Sequence, residues 1–392
     1  MIHQLAYING STLRVIRERR GVSPEYLCTK ARIRQDQLEL WEQNSGSDYP
    51  TMNQAKSISK ILLCPLAGLY LDPQNLPKET QPLLINKRLV QDAGMVDESA
   101  LHLAVARLMQ VRSDVIELAS ETGFKVMNTS FPWLSSNISD SASNLRDWIA
   151  FSLAEQIKTR SSRKLFLRLR TCLEKRGILV VQFSNIEVEE LRGIALSNTV
   201  FPVIGVNAKD RWPAKCFSLL HELVHLAGNK STCCNLINRE TVDEEEVYCN
   251  AIAGEFLFSK QCASMAIQNG IWPQNIADIE KLANRYSVSR DVVARRFRDC
   301  GYLSKEEYEE ILELFATQLA EEIENARKLK LAGANKRWGS SYERGVADSY
   351  GSLFCELVAH GVSTGLLSER DACGVFNVNS EGLEKVFKEA LG

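Results

Sequence analysis

The stretch His221-Glu222-Leu223-Val224-His225 constrains this chain more than any other part of its 392 residues. An HExxH pattern requires a helix, because its two histidines then lie one turn apart on the same face and both imidazoles can reach one ion. The glutamate lies on the adjoining face, where it can hold a water bound to that ion. Histidine is scarce, with five in the whole chain, so a chance match is rare. The pattern predicts a zinc site on a helix that ends near Gly228.

A catalytic zinc site needs a third protein ligand, and the acidic start of the next predicted helix offers the candidates. The other three histidines lie in different predicted modules, which favours a carboxylate. The helix dipole alone accounts well for Asp243 and Glu244. Glu246 shares a face with Asn250 that continues into small and apolar residues, whereas the face of Glu245 is a less clear choice. The sequence favours Glu246 as a ligand and Asn250 as the acceptor of a hydrogen bond from a liganding histidine.

The first 70 residues show apolar positions at helical spacing and a Ser-Pro helix start. Five short helices are predicted, near 12–20, 24–31, 35–43, 52–61 and 64–70. The stretch LRVIRERRGVSPEYLCTKARIRQDQLELWEQ resembles the five-helix DNA-binding domain of the phage-repressor (Xre) type. Base-edge contacts in that fold come from around the start of the third helix, which here carries Arg32, Arg34, Gln35 and Gln37. Acidic neighbours weaken this basic face, so a protein partner is the alternative to DNA.

The hydrophobic period changes after Gly177, where three short β-branched runs occur within about 30 residues. Strong helical patterns follow at 213–227 and 240–259. The sequence predicts a three-stranded sheet packed on the HExxH helix, as a small α+β domain in a chain that is otherwise mainly α. The predicted strands are the runs ILVVQF at 178–183, GIALS at 193–197 and PVIGVN at 202–207.

The segment VFPVIGVNAKDRWPAKCFSLLHELVHLAG, followed by EVYCNAIAGEFLFS, resembles the ImmA/IrrE family of bacterial and phage metallopeptidases. That family combines a strand ending in asparagine, a helix of the FxLxHExxH type and a following helix with Glu-x-x-x-Asn. The resemblance is close over about 178–260 and looser over 90–390. Cys249 and Gly254 stand where the family favours alanine, and neither departure removes a ligand.

This resemblance implies a zincin-like domain in which His221, His225 and Glu246 bind zinc and Glu222 is the general base. It also implies that an N-terminal Xre-type module is a normal companion. The sequence does not identify the group that stabilises the oxyanion. Two tyrosines, more often packing residues on a helix, are the candidates: Tyr248 and Tyr286.

A second helix-turn-helix pattern follows the predicted peptidase region, with helices at 276–286 and 290–299. Its arginines fit either phosphate contact or an ordinary solvated helix face; they include Arg290, Arg295 and Arg296. The predicted order of segments is an Xre-type domain, a linker with a helical connector, the zincin-like domain, a helix-turn-helix-like segment and a C-terminal helical region. Their bounds are 1–72, 73–142, 143–262, 263–328 and 329–392.

Composition narrows the class of protein. A net charge of -2 argues against nucleic-acid binding by the chain as a whole. No apolar run reaches the length of a membrane span, and the N-terminus lacks a signal-peptide layout. Eleven cysteines without a regular framework predict reduced thiols in the cytoplasm, and the absence of CxxC argues against a thiolate zinc site.

The leading hypothesis is an intracellular regulatory zinc endopeptidase that cleaves a specific protein partner, such as a repressor or antitoxin, under stress or phage induction. One alternative is a transcriptional regulator with a sensory or weakly active peptidase domain. Another is the toxin of a toxin–antitoxin or phage-defence pair. Xre-type modules often pair, so a homodimer is a further expectation.

Overall fold

The structure is a computed structural model that describes residues 4–43, 48–77, 85–86, 97–124, 129–234, 243–331 and 341–392. Within these ranges the chain is mainly helical and contains one small mixed sheet. The first helices are α1 (Gly10–Arg19), α2 (Pro24–Ala31), α3 (Gln35–Glu42), α4 (Met52–Ile61), α5 (Ser99–Thr122), α6 (Ile138–Trp148), α7 (Leu153–Thr159) and α8 (Ser162–Glu174). The others are α9 (Trp212–Ala227), α10 (Glu244–Leu257), α11 (Lys260–Gln268), α12 (Ile276–Tyr286), α13 (Arg290–Asp299), α14 (Lys305–Leu331), α15 (Tyr342–Tyr350), α16 (Ser352–Ser363), α17 (Glu369–Phe376) and α18 (Ser380–Leu391).

The N-terminal helices α1 to α4 pack around one apolar core that includes Leu13, Leu27 and Leu38. A buried ion pair joins α1 to α3, in which Nε and Nη2 of Arg17 donate to the two Glu42 carboxylate oxygens at 2.7 and 2.8 Å. The predicted fifth helix, near 64–70, is present as a short 3-10 helix, Leu66–Tyr70.

The sheet has the order β1-β5-β3-β4-β2, with β1 (Ile85–Asn86), β2 (Leu179–Phe183), β3 (Gly193–Leu196), β4 (Val203–Asn207) and β5 (Thr232–Cys234). Strand β4 runs parallel to β2, and β3 is antiparallel to both β4 and β5. The predicted three-strand count is therefore wrong, although all three predicted strands are present. Strands β5 and β1 are too short to show an alternating pattern, and they form only by pairing with residues distant in sequence.

Helices cover both faces of this sheet. One face, with Val180 and Ile204, packs against α8 and α9, while the other, with Val181 and Ile194, packs against α5 and α16. Burial on both sides explains why the strands appear in the sequence as continuous apolar runs. The predicted segment boundaries at 142/143 and 328/329 remain predictions. The second face of the sheet is covered by helices from outside the predicted zincin-like segment.

A buried carboxylate joins the C-terminal helices to the layer that carries α9. Glu174, at the end of α8, accepts hydrogen bonds from the backbone amides of Ser352 and Leu353 at 3.1 and 3.3 Å. These amides belong to the first turn of α16, so Glu174 accepts from backbone N–H groups that have no partner within the helix. Gly351 adopts a φ of +85°, and a side chain there would collide with the Glu174 carboxylate. None of the helices in the described ranges combines the length and apolar character that a bilayer crossing requires.

Candidate metal centre

The HExxH residues lie in the last two turns of α9, on its side toward α10 and β3. Pro213 occupies the first turn, where a missing amide donor costs nothing, and the helix ends at Ala227 before Gly228. His221 and Glu222 are 0% exposed and His225 is 1% exposed. Three ionisable side chains buried in one helix need partners from outside it, because their desolvation is costly.

Helix α10 supplies those partners. It begins after Asp243, whose carboxylate caps the helix by accepting from the amides of Glu245 and Glu246. Capping explains an acidic residue at Asp243. The predicted start of this helix at 240 lies outside the described residues. Two turns of α10 then face α9, and Glu246 and Asn250 are buried in the contact.

Three ligand-type groups, two imidazoles and one carboxylate, form a small triangle between α9 and α10. The Nε2 atoms of His221 and His225 are 3.0 Å apart. Glu246 places one carboxylate oxygen 3.1 Å from His221 Nε2 and the other 3.1 Å from His225 Nε2. Ligand atoms around a tetrahedral zinc ion are separated by about 3.3 Å. An expansion of a few tenths of an ångström would fit the triangle to an ion.

Hydrogen bonds on the far side of each imidazole set the protonation of this triangle. His221 Nδ1 lies 3.0 Å from the Asn250 side-chain oxygen, and His225 Nδ1 lies 3.2 Å from a Glu245 carboxylate oxygen. Both oxygens are acceptors, so each Nδ1 carries the hydrogen and each Nε2 presents a lone pair to the centre. Two lone pairs at 3.0 Å repel each other unless a proton or a metal cation lies between them.

The pKa shifts of the same groups also indicate a centre that attracts a cation. Burial lowers the pKa of His221. Burial opposes a charge on His225 as well, yet bonds with Cys249 and Glu246 raise its pKa to about 11. Desolvation of Glu246 is outweighed by its bonds to the two histidines, which hold its pKa well below the usual range. Without a metal ion, a proton on His225 supplies the positive charge, and a divalent ion would displace that proton.

Glu222 lies beside the triangle and has one unsatisfied oxygen. Its Oε2 accepts from the Thr232 hydroxyl at 3.3 Å, while its buried Oε1 has no hydrogen-bond partner among the described residues. Burial is the main reason why the pKa of Glu222 rises to about 8. The carboxyl group rests directly on Gly193 of β3, where an added Cβ would overlap it. A buried carboxylate with a free oxygen and a raised pKa can accept and release a proton near neutral pH.

Cys234 is the residue of this centre that the sequence reasoning missed. His221, His225, Cys234 and Glu246 are all buried, and one ligand atom of each lies within 4.8 Å of the others. The Cys234 sulfur is 3.6 Å from His225 Nε2 and 3.7 Å from Glu246 Oε1. The absence of CxxC spacing excludes a site with paired thiolates, but a single thiol can still join histidine and carboxylate ligands. Its position nine residues after the second histidine was the available signal.

The two tyrosine candidates have structural partners. The Tyr248 hydroxyl donates to the Ser135 carbonyl oxygen at 2.6 Å. Tyr286 is buried with its ring 5.1 Å from that of Phe258. The hydrogen bond of Tyr248 and the ring packing of Tyr286 give both residues a structural role.

The residues predicted to contact nucleic acid lie in two separate places. At the start of α3, Arg32, Arg34 and Gln35 are exposed, and Arg34 pairs with Asp36 at 3.0 Å. Gln37 is partly buried and accepts from the Arg34 backbone amide. On α13 the side chains of Arg290 and Arg295 are partly buried, and Arg290 donates to Gln318.

Arg296 differs from these residues because it is only 7% exposed. Its guanidinium bonds to the Glu255 carboxylate and, at 3.1 Å, to the Phe258 carbonyl oxygen. Because the Arg296 guanidinium is buried and already bonded inside the protein, its position does not fit the predicted contact with a phosphate. The charge of an arginine alone cannot distinguish a surface ligand from an internal crosslink.

Residues 173–298 match the model of the family Peptidase_M78, described as the IrrE N-terminal-like domain. The match supports the resemblance of this part of the chain to the ImmA/IrrE family. It spans the sheet from β2, both metal-site helices and α13, and it indicates a zincin-like metallopeptidase. Comparisons with curated proteins and with solved structures give no significant match.

Proposed function

We propose that this protein is a zinc-dependent endopeptidase in which His221, His225 and Glu246 bind zinc and Glu222 is the general base. The single observation that carries the proposal is the convergence of two imidazole lone pairs and a carboxylate within 3.0–3.1 Å of one another. The family match over the same residues supports a peptidase. Two nitrogens and one oxygen also form the ligand set typical of zinc peptidases.

Each side chain has a definable task in this proposal. Bound zinc would polarise the scissile carbonyl and lower the pKa of a water molecule. Glu222 takes the proton of the attacking water on its free Oε1 and transfers it to the leaving amine, for which its raised pKa is suited. Asn250 and Glu245 hold the imidazoles in the tautomer that directs Nε2 to the centre. Lys230 in turn holds Glu245 through a 2.7 Å ion pair.

The proposed substrate is a specific protein partner, of the repressor or antitoxin class. Complete burial of Glu222 and the histidines is unlike an open digestive cleft and favours a selected substrate. A groove of about 550 Å³ lies beside the centre, on the Nδ1 side of His225, and Trp133 in its wall is 80% exposed. Such an exposed aromatic suits an apolar anchor on a protein partner. The N-terminal module would bring DNA or protein to the same molecule, through the exposed residues at the start of α3.

A transcriptional regulator with a weakly active peptidase domain is the second candidate. The observation in its favour is the same burial, because a substrate carbonyl cannot reach Glu222 unless the surrounding residues move. Tight, salt-dependent binding to upstream DNA with no loss of any neighbouring protein would support this alternative.

The deciding experiment is co-expression of the full chain with its genome neighbours, with and without Glu222→Gln, followed by mass spectrometry. We expect one neighbour to be cleaved only by the wild-type chain, with a 10²- to 10⁴-fold loss for the variant, about the contribution of general acid–base catalysis. Both proteins should bind one zinc per chain, measured by elemental analysis, and His225→Ala should bind less. Equal cleavage by Glu222→Gln would exclude the proposed mechanism.

A further inference from the structure

Cys234 stands at the end of β5 and faces the metal centre. Successive residues of a strand point to opposite faces. Cys233 accordingly packs in the apolar core with α5 and α16, whereas Cys234 points toward α9 and is 1% exposed. In the antiparallel pair β3–β5, Cys234 is in register with Gly193, the residue beneath the Glu222 carboxylate. The thiol is thereby fixed among Glu222, His225 and Glu246.

Its distances fit coordination of the same ion. In a tetrahedral zinc site with bonds of about 2.0 Å to nitrogen and about 2.3 Å to sulfur, those two ligand atoms lie about 3.5 Å apart. The Cys234 sulfur is 3.6 Å from His225 Nε2 and 3.7 Å from Glu246 Oε1. It also interacts with the Glu222 carboxylate, which otherwise would hold the attacking water.

Cys249 provides an internal contrast. Its sulfur is 3.7 Å from His225 as well, but from the Nδ1 atom, on the opposite side of the imidazole. An ion bound by Nε2 is out of reach from that side. The two cysteines are about equally close to His225, but only Cys234 lies on the Nε2 side of its ring, where the metal would bind.

We propose that Cys234 is a fourth protein ligand of the metal and occupies the position that catalysis requires for water, so that the described conformation is a latent form of the peptidase. This proposal rests on the proposed zinc site. Closed four-ligand sites are structural, while catalytic sites keep one position open. Cleavage therefore requires the sulfur to leave, and β5 has only three residues to hold it in place.

Cobalt(II) is a suitable probe, because thiolate ligation of this ion produces an intense near-ultraviolet charge-transfer absorption that histidine and carboxylate ligands do not produce. We expect this band in the cobalt-loaded wild-type full chain and its loss in Cys234→Ala and Cys234→Ser. Cys233→Ala and Cys249→Ala are matched controls that should retain it. X-ray absorption of the zinc-loaded wild type should show one sulfur at about 2.3 Å.

The possible failures are distinguishable. A wild-type chain that binds one metal through His225 but shows neither the band nor the sulfur overturns the role of Cys234 and leaves the zinc site standing. A wild-type chain that binds no metal, or binds it equally well after His225→Ala, overturns both proposals. Because the band is measured first on the wild type, misfolding of a Cys234 variant does not affect this test. In the cleavage assay, Cys234→Ala should be at least as active as the wild type, and a loss of activity with metal retained would contradict latency.

Discussion

Two regions of this molecule bury charged side chains between helices, and they do so in opposite ways. Between α1 and α3, Arg17 forms a bidentate pair with Glu42 and also donates to the Val22 carbonyl oxygen. Between α9 and α10, the Nε2 atoms of two imidazoles converge, and among the described residues one Glu222 oxygen has no hydrogen-bond partner. Satisfied buried charges hold helices together, whereas unsatisfied ones cost stability and are retained where chemistry needs them. The contrast distinguishes a structural pair from a functional centre.

The pH dependence of stability should give the largest difference between the regions. In the metal-free protein the pKa of Glu222 is about 8 when folded, against an ordinary 4.5. Its contribution to the free energy of unfolding is therefore fully present below pH 4.5 and is lost as the pH rises through 8. Glu222→Gln should remove this loss and raise the free energy of unfolding by up to about 5 kcal/mol over wild type at pH 9. Urea unfolding of chelator-treated protein at pH 5 and pH 9 measures it, and parallel pH profiles would contradict it.

Breaking the buried Arg17–Glu42 pair should lower the free energy of unfolding, whereas Glu222→Gln should raise it. Arg17→Ala leaves the buried Glu42 carboxylate without its partner and should destabilise the N-terminal module by about 3 kcal/mol. Arg34→Ala is the matched control, because its pair with Asp36 is exposed and worth less than about 1 kcal/mol. Thermal unfolding monitored by circular dichroism measures both. Similar effects of the two variants would remove the distinction between buried and exposed pairs.

Gly193→Ala should separate catalysis from metal binding. An added Cβ overlaps the Glu222 carboxyl group but not the three proposed ligands, so the base must shift. A displacement of about 1 Å can cost a factor of about 100 in rate. Gly374→Ala, where an added Cβ meets nothing within 4 Å, is the control. We expect cleavage to fall about 100-fold with metal content unchanged, and loss of metal from Gly193→Ala would show that the glycine supports the ligands instead.

The smallest expected effect concerns the orientation of His221. Asn250→Ala removes the acceptor 3.0 Å from Nδ1 and should weaken metal affinity about 10- to 100-fold. Competition with a chelating dye measures this change, and Asn250→Asp, which keeps an acceptor, should restore most of the affinity. An unchanged affinity in Asn250→Ala would mean that packing alone orients His221.

The sequence predicted the helices of the centre well, because their signals are local. The pattern at 213–227 differs from α9 by one residue, and the helical faces of α10 bring Glu246 rather than Glu245 to the triangle. Strand β5 could not be predicted, because its three residues become a strand only by pairing with β3. Cys234 was missed for the same reason, since its place in the centre depends on that pairing.

The helices that cover the second face of the sheet also could not be predicted from the sequence. Apolar runs indicate that a strand is buried, but they do not say what buries it. Here the covering helices α5 and α16 come from segments far from the HExxH motif, one about 100 residues before it and the other about 130 residues after it. The helical spacing of apolar residues in α5 shows that one face is buried, but it does not identify the sheet as the partner of that face.

The Glu174 cap has a consequence for synthesis on the ribosome. The strands and both metal-site helices emerge well before residues 352–363, which cover the sheet and supply the amides that Glu174 accepts from. Until then, the nascent chain carries an exposed apolar sheet face, which favours association with other chains or with chaperones. The sheet around the metal centre can therefore be fully covered only after residues 352–363 have been translated, well after the residues of the centre itself.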